Sequence, residues 1–122
     1  CYNENPKVYQ LLTRAFEKRG VLGYIEVAKI NHLRIEKLTF QQLNRDWRVF
    51  MVYSKLADFL GHVCWFKNRS TLRWAYQRLN DFTKVVKSFL PSNTVVLVVS
   101  DHGTTFYYSD KAFQSLNVDE KF

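Results

Sequence analysis

Two acidic–histidine pairs are the residues in this sequence whose types and spacing favour metal chemistry. Asp58 and His62 are four residues apart, so on one helical turn their side chains point the same way and can share a cation. Asp101 and His102 are adjacent and can reach one site only where a strand breaks into a turn, which Gly103 allows. Carboxylate oxygen and imidazole nitrogen together suit zinc, manganese or iron. We therefore predict two divalent metal ions, zinc or manganese, with these four side chains as ligands.

Each pair follows a segment that has the composition of a buried strand. Trp47–Tyr53 and Thr94–Val99 are nearly continuous runs of β-branched, aromatic and other apolar residues. Between them, apolar residues recur on one helical face from Ser70 to Leu90, which predicts a long helix. The order strand, helix, strand predicts a parallel sheet. Ligands of such sheets bind beyond the carboxyl ends of the strands, where both pairs lie.

The rest of the chain completes the predicted α/β fold. Asn5 as a helix cap and Pro6 at the first helical position predict a helix that stops at Gly20. Residues 23–30 are predicted as a strand and residues 39–45 as a short helix. The predicted fold class is therefore a mostly parallel sheet flanked by helices, in three layers.

Composition bounds the possible partners and compartment. The chain has 122 residues and is 47% hydrophobic, enough for one domain with its own core. The formal charge of +7 would attract nucleic acid, an acidic membrane surface or a phosphorylated small molecule, although its basic residues are dispersed over helical segments as on solvated helix faces. Two cysteines without metal or disulfide spacing favour a reduced, cytoplasmic location, with Cys64 as a buried inert thiol. No apolar run reaches the ~20 residues of a membrane span.

Other reactive side chains receive structural interpretations. We identify no acidic partner for His32 at ligand spacing. We therefore predict that it is a structural or surface residue. Thr104 and Thr105 are interpreted as turn residues rather than nucleophiles. Trp65 and Trp74 could wall a substrate pocket, but aromatic residues at this spacing are typical of a core.

Residues from about 46 to 103, nearly half of the chain, resemble the alkaline phosphatase superfamily, in particular its type I phosphodiesterase and nucleotide pyrophosphatase branch. The resemblance implies that Asp58 and His62 bind one metal ion, that Asp101 and His102 bind a second, and that a Thr or Ser takes up the phosphoryl group covalently. The matching residues in chain order are Asp46–Ser54, Asp58–His62 with Trp65 behind it, a helix carrying Tyr76, Leu79 and Asp81, and Thr94–Gly103.

The sequence departs from that family pattern in two places. Nothing in residues 1–45 matches the nucleophile and its companion Asp, and no Gly-x-His follows Gly103. Three explanations stay open: a fragment of a longer enzyme, one piece of a split enzyme, or a degenerate relative without catalysis. The start at Cys1 and the end at Phe122 favour the first two. We expect residues 1–122 to form a single, partial phosphoesterase-like domain, whose partners are the remainder of the enzyme and its substrate.

The leading functional hypothesis is a metal-dependent phosphoesterase that hydrolyses phosphodiester or pyrophosphate bonds in a phosphorylated small molecule or nucleotide. An alternative from another class is a basic nucleic-acid-binding module, which the charge and the aromatic residues Tyr107 and Tyr108 motivate. A third is a non-catalytic relative without metal.

Overall fold

The computed structural model describes residues 6–100 and 102–103, and this part of the chain is helical. It contains three helices, α1 (Pro6–Gln42), α2 (Leu56–Cys64) and α3 (Arg69–Phe89). The predicted three-layer α/β fold is therefore wrong, because no strand or sheet occurs among the described residues. Helix α2 packs against both α1 and α3.

Helix α1 is kinked at Gly20, where the backbone takes φ 63° and ψ −149°. This left-handed region favours glycine, so the predicted stop at Gly20 coincides with a real break in the helix. A Cβ atom on Gly23 would lie 2.5 Å from the Ala15 carbonyl oxygen, so the backbones on either side of the kink touch. Helix α1 then resumes, and the strand predicted for residues 23–30 is wrong.

The buried positions after the kink explain why this segment is helical. From Ile25 onward they are spaced by three or four residues, which places them along one face of a helix and is incompatible with the alternation of a strand. The predicted short helix at 39–45 falls on the end of α1 and the turn after it. The buried residues of this face are Ile25, Ala28, His32, Glu36 and Thr39.

Helix α3 confirms the helix predicted from Ser70 to Leu90, with a different cap. Asn68, rather than Ser70, is the N-cap, and its side-chain oxygen accepts a hydrogen bond from the Thr71 backbone N–H at 3.3 Å. The apolar face of α3 buries Leu72 and Ala75 against α2.

The hydrophobic core is centred on α2. The rings of Tyr9 and Tyr24 each make a T-shaped contact with the Phe59 ring, at centroid distances of 5.7 and 6.4 Å. Cys64 is fully buried, as predicted, and burial raises the pKa of its thiol, so the thiol is protonated and inert at neutral pH. The buried apolar residues are Leu12, Ile25 and Ala28 of α1, Leu56, Phe59, Leu60 and Cys64 of α2, and Leu72 and Ala75 of α3.

Neither segment that was predicted as a buried strand forms a helix or a strand in the described part of the chain. In Thr94–Val99, Val95 and Val99 are each 82% exposed, and Met51 in the earlier segment is 89% exposed. A strand exists only where a neighbouring strand satisfies its backbone, and residue propensity cannot supply that neighbour. None of the described helices contains a stretch long and apolar enough to cross a bilayer.

Candidate functional site

The first predicted ligand pair, Asp58 and His62, lies together on the outer face of α2. Leu56, Phe59 and Leu60 turn the apolar face of this short helix into the core, which leaves Asp58 in its first turn and His62 in its last turn toward solvent. The His62 Nε2 and Asp58 Oδ1 atoms are 3.4 Å apart, with side-chain exposures of 67% and 34%. The prediction that both side chains point the same way on one helical turn is confirmed.

This separation fits two ligands of one metal ion. Donor atoms about 2.1 Å from a tetrahedral zinc are about 3.4 Å from each other, which is also the spacing of the two α2 atoms. Both side chains are accessible, so an ion can reach them without opening the core. The described residues contain no group of three or more His, Cys, Asp or Glu that could hold an ion, so the pair is at most part of a full ligand set.

The second predicted pair is described only at His102. Asp101 lies outside the described residues, and His102 is exposed. Its Nδ1 atom lies 3.0 Å from the Gly103 carbonyl oxygen, and the Ser100 hydroxyl donates a hydrogen bond of 2.6 Å to the His102 carbonyl oxygen. Within the described structure His102 does not join Asp58 and His62 in a shared cluster.

A buried polar cluster, which we call the His32 cluster, lies between α1, α3 and the segment before α2. It contains His32, Glu36, Ser54 and Arg78. The His32 side chain is 1% exposed, its Nε2 lies 3.0 Å from Glu36 Oε1, and its Nδ1 lies 3.0 Å from Ser54 Oγ. The ring of Phe82 packs edge-on against the imidazole at 5.7 Å. Of the two positions predicted for His32, structural or surface, the structure shows a buried one, and the statement that it lacks an acidic partner at ligand spacing is wrong.

Arg78 anchors the carboxylate of this cluster from α3. Its Nε donates to Glu36 Oε1 at 2.8 Å and its Nη2 donates to Glu36 Oε2 at 2.5 Å, a two-bond contact that fixes the plane of the carboxylate. The hydrogen bonds to Glu36 raise the pKa of the Arg78 guanidinium. The pair compensates for the burial of the Glu36 charge and ties α1 to α3.

Burial lowers the pKa of His32, because the ring would lose hydration as a cation. The carboxylate of Glu36 opposes this shift and the nearby Arg78 adds to it. His32 is therefore neutral at neutral pH. Although Nε2 is close to Glu36, its N–H is not aligned for a hydrogen bond, and this atom has no other partner in the described part of the chain.

Only part of the His32 cluster carries a local sequence signal. His32 and Glu36 are four residues apart, the same spacing as in the α2 pair, and this signal was missed. Ser54 and Arg78 lie 22 residues from His32 and 42 from Glu36, respectively, so nothing local in the sequence links them.

Comparison with known proteins adds no family to this geometry. No family model matches the chain, and neither a curated protein nor a solved structure matches it significantly.

Proposed function

We propose that this chain supplies part of the metal site of a phosphoesterase that hydrolyses phosphodiester or pyrophosphate bonds, in nucleotides or other phosphorylated small molecules. The observation that supports the proposal is the 3.4 Å spacing of the Asp58 and His62 donor atoms on an accessible helix face. Asp101 and His102 are the proposed ligands of a second divalent ion, with zinc or manganese as the metal in both positions. The proposed location is cytoplasmic.

A bound divalent ion would supply positive charge that polarises a phosphoryl oxygen. In this chain, Asp58 and His62 would orient that ion against the accessible face of α2, while the core holds the helix in place. The net charge of +7 favours the approach of an anionic substrate.

Metal content measured by elemental analysis tests this proposal. The purified chain is dialysed against zinc or manganese and then against metal-free buffer, alongside Asp58→Ala, His62→Ala and the control Asp81→Ala, which removes an exposed carboxylate of α3. The wild-type chain and the control should retain metal, and both α2 variants should lose it. Equal retention by all four proteins, or retention by none, would contradict the proposal.

The nucleic-acid-binding alternative rests on the +7 charge, because Tyr107 and Tyr108 lie outside the described residues. It predicts oligonucleotide binding that weakens steeply with salt and does not depend on Asp58. A folded chain that retains no metal and hydrolyses no phosphoester would favour the non-catalytic relative instead.

A further inference from the structure

Ser54 lies directly before α2 and faces the buried His32 ring. Its Oγ is 3.0 Å from His32 Nδ1 and accepts a hydrogen bond from the Leu56 backbone N–H at 3.3 Å. The serine residue is only partly buried. The imidazole behind it is almost fully buried, which shields the contact from competition by water.

The neighbouring charges decide which ring nitrogen carries the proton. Nε2 is 3.0 Å from the Glu36 carboxylate, and a lone pair on Nε2 would face that negative charge. The proton therefore belongs on Nε2, which leaves the lone pair of Nδ1 to accept the hydrogen bond of the Ser54 hydroxyl. The Ser54 hydroxyl then contacts the His32 imidazole, which in turn contacts the Glu36 carboxylate. This is the arrangement that activates a serine nucleophile.

We infer that Ser54 is a nucleophile for phosphoryl transfer, with His32 as its general base and with Glu36 and Arg78 as positioning residues. The inference rests on the proposed function for its substrate, a phosphate ester, and it adds the covalent acceptor that Asp58 and His62 cannot provide. Nε2 of His32 lies 3.0 Å from Glu36 Oε1 without an aligned hydrogen bond, and catalytic contacts of this kind commonly tighten only when substrate binds.

The chemistry balances without any further reactant except water. The Ser54 oxygen forms a bond to phosphorus while the bond from phosphorus to the leaving oxygen breaks, and that oxygen departs with the electron pair. The serine proton passes to Nδ1 of His32 and from there to the leaving oxygen. Water then attacks the phosphoserine, its proton returns through Nδ1 to Oγ, and phosphate is released.

The charged groups around His32 are consistent with this role. Glu36 faces the ring from its own helix and Arg78 approaches from α3, while Phe82 and Ser54 contribute no charge. A neutral base is required at working pH, and burial lowers the pKa of His32 in that direction. The Glu36 carboxylate would balance the imidazolium that forms during the step.

A fluorophosphonate probe tests the serine directly, since it labels activated serines and releases fluoride. The full chain is treated in the presence of EDTA, so that metal plays no part, and the labelled residue and rate are read by mass spectrometry. Ser54 should be labelled about 100-fold faster than Ser88, an exposed serine of α3, and His32→Gln should lose about 100-fold in rate. Ser54→Ala should abolish this label, and Ser88→Ala should retain it.

Labelling of Ser54 no faster than Ser88 would overturn the inference. If His32→Gln does not fold, as judged by circular dichroism, the pH dependence of wild-type labelling replaces it. If His32 assists Ser54, the labelling rate becomes constant above the pKa of His32. If it does not, the labelling rate keeps rising with hydroxide concentration, and that result would overturn the assignment.

Phosphate transfer is then measured with p-nitrophenyl phosphate and zinc, followed by acid quenching. Phosphoserine at Ser54 supports the inference, and its absence overturns the substrate assignment. These results are distinct from a failure of the proposed function, because loss of metal binding leaves the labelling of Ser54 in EDTA unchanged.

Discussion

The His32–Glu36 pair and the Asp58–His62 pair have the same spacing but lie in opposite environments. Each brings a histidine and a carboxylate together across one helical turn. The first pair is buried between α1 and α3, where Arg78 contacts Glu36 and Ser54 contacts His32. The second pair faces solvent on α2. The four-residue spacing thus brings the two side chains of each pair together. Burial then determines whether the pair contacts other protein groups or solvent.

The energetic consequences of the two environments differ. A buried carboxylate that loses its cationic partner remains uncompensated in a region of low dielectric, which is strongly destabilising. An exposed pair at the same spacing contributes only about 0.3–0.5 kcal/mol, because water screens both charges. The contact between Asp58 and His62 can therefore be replaced by contacts to a bound ligand at little cost in stability.

Removing Arg78 should have the largest effect on stability. Arg78→Met leaves the buried Glu36 carboxylate without its guanidinium partner. Because the Arg78 side chain is itself 39% exposed, the free energy of unfolding should fall by about 2 kcal/mol, less than the about 3–5 kcal/mol of a fully buried pair. Urea denaturation measures this change. Arg73→Met removes an exposed arginine from the same helix and should change stability by less than about 0.5 kcal/mol. Equal stabilities of the two variants would show that the Glu36–Arg78 contact does not support the fold.

Acidification should have the next largest effect on stability, and it acts through His32. Because burial lowers the pKa of His32 in the folded protein, the unfolded chain binds a proton more readily. The stabilisation is therefore fully present above the unfolded value of about 6.5 and is lost as pH falls through that value toward the folded pKa. Urea denaturation at a series of pH values between 8 and 5 tests this, and His32→Gln should remove that part of the slope, whereas a slope unchanged by His32→Gln would contradict the assignment.

Mutation of the exposed pair should have the smallest effect on stability. Asp58→Asn breaks the 3.4 Å contact with His62 on the surface, and the free energy of unfolding should change by no more than about 0.5 kcal/mol. Urea denaturation without metal gives the value. A loss as large as that of Arg78→Met would mean that the α2 pair serves the fold rather than a ligand.

Local patterns predicted the elements that depend on nearby residues. The apolar face of residues 70–90 and the break at Gly20 both appear in the structure, since helical periodicity and glycine conformation act over a few positions. The same holds for the shared direction of Asp58 and His62. The sheet was predicted from the composition of Thr94–Val99, but strand pairing depends on a distant neighbour that composition does not specify.

The His32 cluster shows the same limit for sites. The contact between His32 and Glu36 could have been predicted from their four-residue spacing if residues 23–42 had been assigned as helix. The approach of Ser54 and Arg78 depends on how three helices pack, which is a property of the whole core.

We expect a divalent ion to reach the Asp58–His62 pair and not the His32–Glu36 pair. Nitrogen-15 spectra of the histidine rings during a zinc titration measure both at once. We expect the ring nitrogen signals of His62 to shift with zinc, those of His32 to stay in place, and Asp58→Ala to abolish the His62 shift. A His62 ring that does not respond to zinc, or responds equally without Asp58, would contradict it.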